Sequence, residues 1–134
     1  MTGELDLTTL TAQMAPVLHD TVYVFCTFAD GRLPPGLTPV CTFAELEGLS
    51  AILPQAEAQR EGIKSLFESR MITLTIHSSL EAVGFLAVLT TRLAEVGIAC
   101  NVVSAYHHDH LFVPADRAVA AMDLLTSTAI LSRP

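Results

Sequence analysis

The sequence predicts an α+β fold, with antiparallel sheet and helices on one side, and three features of residues 71–128 predict it. Ile72, Leu74 and Ile76 alternate with Thr73, Thr75 and His77, the period of a half-buried strand. Ala82, Leu86, Leu89, Leu93 and Val96 then recur at steps of four and three, a helical stripe fit to pack on the strand's apolar face, with Phe85 and Val88 widening it. Past Gly97 the chain reads as a β-branched strand and a short hairpin, and Ala118, Met122 and Leu125 mark a second helix within 115–128. Strand, helix, strand, strand, helix in that order is the βαββα core of a ferredoxin-like fold.

The first half is organised differently. Leu7, Leu10 and Met14 lie at helical spacing within residues 6–16, and Pro16 stands where that helix should stop. Thr21 to Phe28, TVYVFCTF, is rich in β-branched and aromatic residues and predicts a strand. From Ala29 to Pro39, two glycines and three prolines leave room only for a loop. Strand character returns from Val40 to about Leu46 and from Leu49 to Leu53, joined as a tight hairpin around Glu47 and Gly48, and a short helix follows from Gln55 to about Gly62. Residues 63–70 form the join, with room for a short strand of their own. The half therefore reads as helix, strand, strand, strand, helix. Set against the second half it lacks a leading strand, and the open sheet edge this leaves calls for pairing by the other half or by a second chain.

Composition narrows the functional classes. With 51% hydrophobic and 16% charged residues in 134, the chain has ample apolar surface to bury and few charges to cover the outside. Part of that surface is expected to meet another subunit, which predicts a homodimer or larger. The net charge of −7 and the scatter of the seven Lys and Arg residues argue against a nucleic-acid partner. No apolar run approaches the ~20 residues that span a bilayer, so no membrane role is expected. The polar, acidic start MTGELDLTT does not resemble a signal peptide, which predicts a cytoplasmic protein. Cys26, Cys41 and Cys100 are odd in number, lack CxxC spacing and sit in apolar strand patterns, as buried free thiols do.

Three stretches carry a resemblance to a known family: HSSLEAVG from His77, GIACNVV from Gly97, and YHHDHLFVP from Tyr106. Tyr23-Val24-Phe25-Cys26 and Glu47-Gly48-Leu49 add weaker anchors. Together they resemble the small bacterial ACT-domain proteins built as a tandem of two ACT-like units. The resemblance implies a first, incomplete unit over residues 1–66 and a second over residues 67–134. It implies a regulatory module that binds a small effector, an amino acid, without catalysis and without a cofactor. A structural or oligomerisation domain that keeps the scaffold and binds nothing is the alternative.

Candidate site residues follow from the residues and the resemblance together. Ser78-Ser79-Leu80-Glu81 has the spacing of a capping box, which would start a helix and stabilise it by about 1 kcal/mol. A helix start also presents unpaired N–H groups and a positive end to a carboxylate. In ACT domains the loop between first strand and first helix is where effectors bind, and His77, Ser78, Ser79, Leu80 and Gly84 fall on it. Glu81 would either compete with an anion or attract an ammonium group. Asn101, early in the strand after Gly97, occupies the place where such proteins present a polar side chain to the same pocket, and its amide can both donate and accept. The resemblance also places His108, Asp109 and His110 as a hydrogen-bonded turn beside that pocket.

The run His107-His108-Asp109-His110 admits a second, weaker reading as a metal site, because imidazoles and carboxylate are good divalent-metal ligands. Four adjacent residues at a turn rarely point to one centre, however, and His77 is the only evident outside ligand, so no metal is expected. Catalysis has no support in the sequence: there is no G-x-S-x-G, no phosphate-binding loop and no dinucleotide fingerprint. Glu45 and Glu47, two apart, read as a solvated strand edge rather than an acid and base pair.

Overall fold

The computed structural model describes residues 6–76 and 79–131. In chain order the elements are α1 (Leu7–Ala12), β1 (Pro16–Phe28), β2 (Cys41–Glu45), β3 (Gly48–Pro54), α2 (Gln55–Arg60), β4 (Leu66–Leu74), α3 (Phe85–Glu95), β5 (Asn101–Ser104), β6 (Asp109–Pro114) and α4 (Ala118–Leu131). A single 3-10 turn, Ala115–Arg117, leads into α4. No helix among the described residues is long and apolar enough to cross a membrane. The chain forms two compact units: Asp20–Ser69, and the residues up to His19 together with those from Arg70 onward. The division falls inside two strands, β1 and β4, so each unit receives part of both.

In the unit Asp20–Ser69 the strand order is β2-β3-β1-β4. β1 and β3 are antiparallel, with Val24 opposite Leu53 and Cys26 opposite Ala51. β2 and β3 form the expected hairpin, Glu45 opposite Gly48. A side chain at Gly48 is excluded twice over: its φ is 142°, and a Cβ would lie 2.4 Å from the carbonyl oxygen of Phe28. Val24, Cys26, Ala51, Leu53 and Ala58 make the core. Leu37 belongs to it too, although it sits in the loop of prolines and glycines, and Leu33 packs at its margin. The loop is tied to α2 by the Thr38 N–H, which donates to Glu57 Oε1 at 2.7 Å. What this unit lacks against a complete βαββαβ order is therefore a helix between its first two strands, not the leading strand that the sequence suggests is missing. Two apolar loop side chains cover the sheet where that helix would lie.

In the other unit the strand order is β1-β4-β6-β5, and β5 and β6 are antiparallel, with Asn101 opposite Phe112 and Ser104 opposite Asp109. Ile72 and Leu74 of β4 and Leu111 and Val113 of β6 meet Phe85, Leu89 and Leu93 of α3 and Ala118, Ala121 and Leu125 of α4. Leu10 and Met14 from the amino-terminal segment complete this core, both 0% exposed. The four-strand order with two helices on one face is the α+β ferredoxin-like arrangement, its fourth strand supplied by the amino-terminal part of β1.

Several boundaries differ from the sequence expectation, each for a local reason. Pro16 opens β1 instead of ending a helix. α1 begins at an Asp6 cap, whose carboxylate accepts from the Thr9 N–H at 2.9 Å, and it stops at Ala12. Proline disfavours helix at the residue before it, and Ala15 turns the chain at φ 42°. The join at residues 63–70 carries no separate short strand: from Leu66 it is already β4. Helix α3 begins at Phe85 rather than behind Ser78, because Gly84 holds φ 89°, a left-handed conformation through which a right-handed helix does not pass. Its buried face is consequently Phe85, Leu89 and Leu93, with Leu86 at the margin and Val96 exposed.

Candidate functional site

Between β4 and α3 the described residues from Ser79 to Gly84 begin with a tight turn. Ser79 Oγ accepts from the Glu81 N–H at 3.1 Å, and the Ser79 carbonyl accepts from the Ala82 N–H at 3.0 Å. The capping pair expected from Ser78 and Glu81 cannot be followed through Ser78, which with His77 lies outside the described residues; among the described residues the Glu81 N–H donates to Ser79. Gly84 then sets the start of α3 without any side-chain cap. A helix cannot satisfy the N–H groups of its first turn internally, and among the described residues no side chain caps them.

Ser79, Leu80, Ala82 and Gly84, the first turn of α3 from Phe85 to Ala87, and Ser104 and Asp109 together line a cavity of about 130 Å³. Its lining is chemically mixed. The first turn of α3 contributes N–H groups and the positive end of the helix dipole, and Asp109 contributes a carboxylate that is only 6% exposed. The volume is well below the ~300–1,000 Å³ of sites that enclose drug-sized ligands, so an enclosed guest must be small.

Of the residues singled out in the sequence, the structure thus brings Ser79, Leu80, Gly84 and Asp109 to one cavity. Asn101 is not among its lining residues. It stands exposed at the far end of β5, opposite Phe112, three residues and roughly 10 Å of strand from Ser104. Because strand side chains alternate, residues three apart face opposite sides, and Ser104 is the β5 side chain that reaches the cavity. The register that pairs Ser104 with Asp109 across the Ala105–His108 turn was the signal that could have identified it.

His108 lies beside the cavity rather than in its lining: its Nδ1–H donates to the Ile76 carbonyl at 3.4 Å. His110 belongs to a different arrangement. Thr73 Oγ1 stands 2.7 Å from His19 Nε2 and 2.9 Å from His110 Nδ1, so its hydroxyl can donate to one ring and accept from the other. Thr73 is buried, 8% exposed. Burial lowers the His110 pKa below its ordinary 6.5; His108 and His19 lower it further, and Asp109 opposes them. Among the described residues no three His, Cys, Asp or Glu side chains converge as a metal-binding set.

The sign of that shift gives a pH dependence. With the folded imidazole less basic than the unfolded one, the unfolded chain takes up the proton first as pH falls. The resulting penalty on folding is absent well above 6.5, sets in as pH drops through the unfolded value and is complete below the folded one. Urea midpoints are expected to fall between pH 7.5 and pH 5, and His110→Gln is expected to flatten that slope.

The cysteines are all free, with Cys26 buried and Cys41 and Cys100 half-buried. Burial pushes the Cys100 thiol up to about 11, so it is a poor nucleophile.

Comparison with known proteins bears on the whole chain. The family model for the ACT domain matches residues 2–70, and a second ACT-domain model matches residues 66–127. Among curated proteins none matches the chain. Among solved structures, a Vibrio cholerae protein of unknown function, described as a possible transport protein, is 43% identical over 92% of this chain and 95% of its own, with a TM-score of 0.83. A protein from Agrobacterium tumefaciens is 17% identical, covering 85% of this chain and 87% of its own, with a TM-score of 0.71. The ligand-free regulatory subunit of aspartate kinase from Thermus thermophilus is 10% identical, covering 87% and 97%, with a TM-score of 0.65. The last two share the fold.

Proposed function

Because the chain belongs to the ACT-domain family, as a tandem of two such domains, we propose that it is a non-catalytic regulatory module whose effector is a small amino acid held in the cavity between the Ser79–Gly84 segment, α3 and Asp109. The observation that carries this reading is the chemical polarity of that cavity. An uncapped helix start suits a carboxylate, a buried Asp109 suits an ammonium group, and both line a space small enough for a short side chain. Ser79 and Ser104 add hydroxyls that can donate or accept. His77 and Ser78 precede this segment and His108 flanks it, so they belong to the proposed surroundings; Asn101 belongs to the proposal only as an outer residue of β5.

The reading keeps residues 1–66 and 67–134 as the two ACT-like halves in sequence. A cytoplasmic place accords with three free cysteines. Regulation requires that the effector bind one arrangement of the protein better than another, so a small shift of the Ser79–Gly84 segment on binding is part of the proposal. A thermal-shift screen against the twenty amino acids tests it. Ligand at ~100 times its dissociation constant adds about 2.7 kcal/mol, and one or a few amino acids are expected to raise the midpoint. A flat response to all twenty would favour the structural alternative, in which the scaffold assembles without an effector.

Assembly is a second part of the proposal. β2 is an edge strand of its unit, and it and its flanks expose Val40, Phe43 and Leu46, Phe43 by 69%. An edge that carries apolar side chains and neither Lys nor Pro is open to pairing with another chain. A homodimer or larger species is expected in sedimentation at micromolar concentration, and Phe43→Lys is expected to shift it toward monomer. A wild-type protein sedimenting as a clean monomer there would remove this part of the account.

A further inference from the structure

The unit Asp20–Ser69 holds a larger cavity, of about 640 Å³, whose walls come from Phe25 to Phe28 at the end of β1, from Ser50 of β3, and from Ile63 to Leu66 leading into β4. That volume lies within the ~300–1,000 Å³ typical of small-molecule sites, which are mostly apolar with a few placed polar groups. Phe28, Ile63 and Leu66 supply the apolar walls, and among the described residues Lys64 is the one charged residue of the lining. Among the described residues no carboxylate forms an ion pair with the Lys64 ammonium. The Ser50 hydroxyl is already engaged, donating to Glu45, which leaves Lys64 and Ser65 as the polar end.

Two further observations mark the place as more than a gap in packing. Leu66 is 71% exposed although it lines the cavity. Its neighbour Phe67 is held at φ 62°, a conformation that a bulky residue rarely adopts, with its ring edge-on to Phe25 at a centroid separation of 5.7 Å. Such strain persists only where the surroundings fix it, and it gathers at ligand clamps. Among the described residues no acidic side chain lines the cavity, so an ammonium group carried into it would lack a charged partner there.

We propose that this cavity binds a small organic monoanion with an aromatic or branched apolar body, its carboxylate on Lys64 and its body against Phe28 and Ile63. The site is separate from the proposed effector cavity, and neither reading depends on the other. The probe is 1-anilinonaphthalene-8-sulfonate, an apolar fluorescent anion, displaced by 3-phenylpropionate, with 2-phenylethylamine as the cationic counterpart. The expected result is displacement by 3-phenylpropionate and none by the amine at equal concentration. Lys64→Gln should weaken 3-phenylpropionate roughly fivefold to tenfold, while Lys64→Arg retains it. In a Cys41→Ser/Cys100→Ser background, saturating 3-phenylpropionate should slow modification of Cys26, which lines the cavity. Equal competition by the amine, unchanged affinity in Lys64→Gln, or an unprotected Cys26 would each overturn the proposal. Because Asp109 lies in the other unit, Asp109→Asn should leave this binding intact, so failure here and failure of the effector reading are told apart.

Discussion

Replacing Leu89 with alanine is expected to lower the unfolding free energy by about 2–5 kcal/mol, a large share of the ~5–15 kcal/mol that holds a domain folded. Leu89 is 0% exposed at the centre of α3, within the cluster that joins β4, β6, α3, α4 and the amino-terminal Leu10 and Met14. Truncation there removes contacts to several elements at once and leaves a cavity that the close-packed surroundings fill only in part. Val119→Ala on α4, where the side chain is 64% exposed, is expected to change stability by no more than about 0.5 kcal/mol. Urea denaturation of the two variants beside wild type makes the comparison. Similar midpoints for both would mean that α3 is not packed as described.

The second large effect concerns binding. Asp109→Asn keeps the size and shape of the side chain and removes its charge. If the carboxylate receives the effector's ammonium group, the variant loses a hydrogen bond to a charged partner, about 1.5–3 kcal/mol, or roughly tenfold to a hundredfold in affinity at 1.4 kcal/mol per decade. The aliphatic part of the site is untouched, so a purely apolar guest would be insensitive to the change. The magnitude therefore reports the chemistry of the ligand as well as the role of the residue.

How far the sequence discloses this molecule depends on the distance over which each determinant acts. Period-two alternation in Ile72, Leu74 and Ile76 and the Leu89–Leu93 stripe are local signals tied to burial, and they place β4 and α3 against each other correctly. The start of α3 is decided by a competition that the pattern alone does not resolve. Ser78-x-x-Glu81 has cap spacing, but Gly84 in the left-handed region interrupts the helix, and the atoms of Ser79 go to a turn instead. Two grouping effects are non-local. His19 and the residues before it belong with the unit from Arg70 onward, and Leu37 stands in for a helix in the other unit. Neither follows from periodicity, because each depends on which strands pair.

The candidate site shows the same division. Ser79, Leu80 and Gly84 were legible because they are neighbours in sequence on one segment, and Asp109 because a run of three histidines and a carboxylate draws the eye. Ser104 was not, since only the β5–β6 register brings it opposite Asp109. Asn101 attracted attention by residue type, yet three positions along a strand separate it from the cavity and turn its side chain to the other face. The His19, Thr73 and His110 chain was likewise invisible: it joins three strands through residues 54 and 37 positions apart.

The most direct measurement of the central claim is isothermal calorimetry of wild type and Asp109→Asn, titrated with each amino acid that raises the thermal midpoint. The account predicts saturable heat with wild type and an affinity at least about tenfold weaker in the variant, both proteins remaining folded. Equal affinity in the two proteins would contradict it, and so would the absence of heat from any amino acid with wild type.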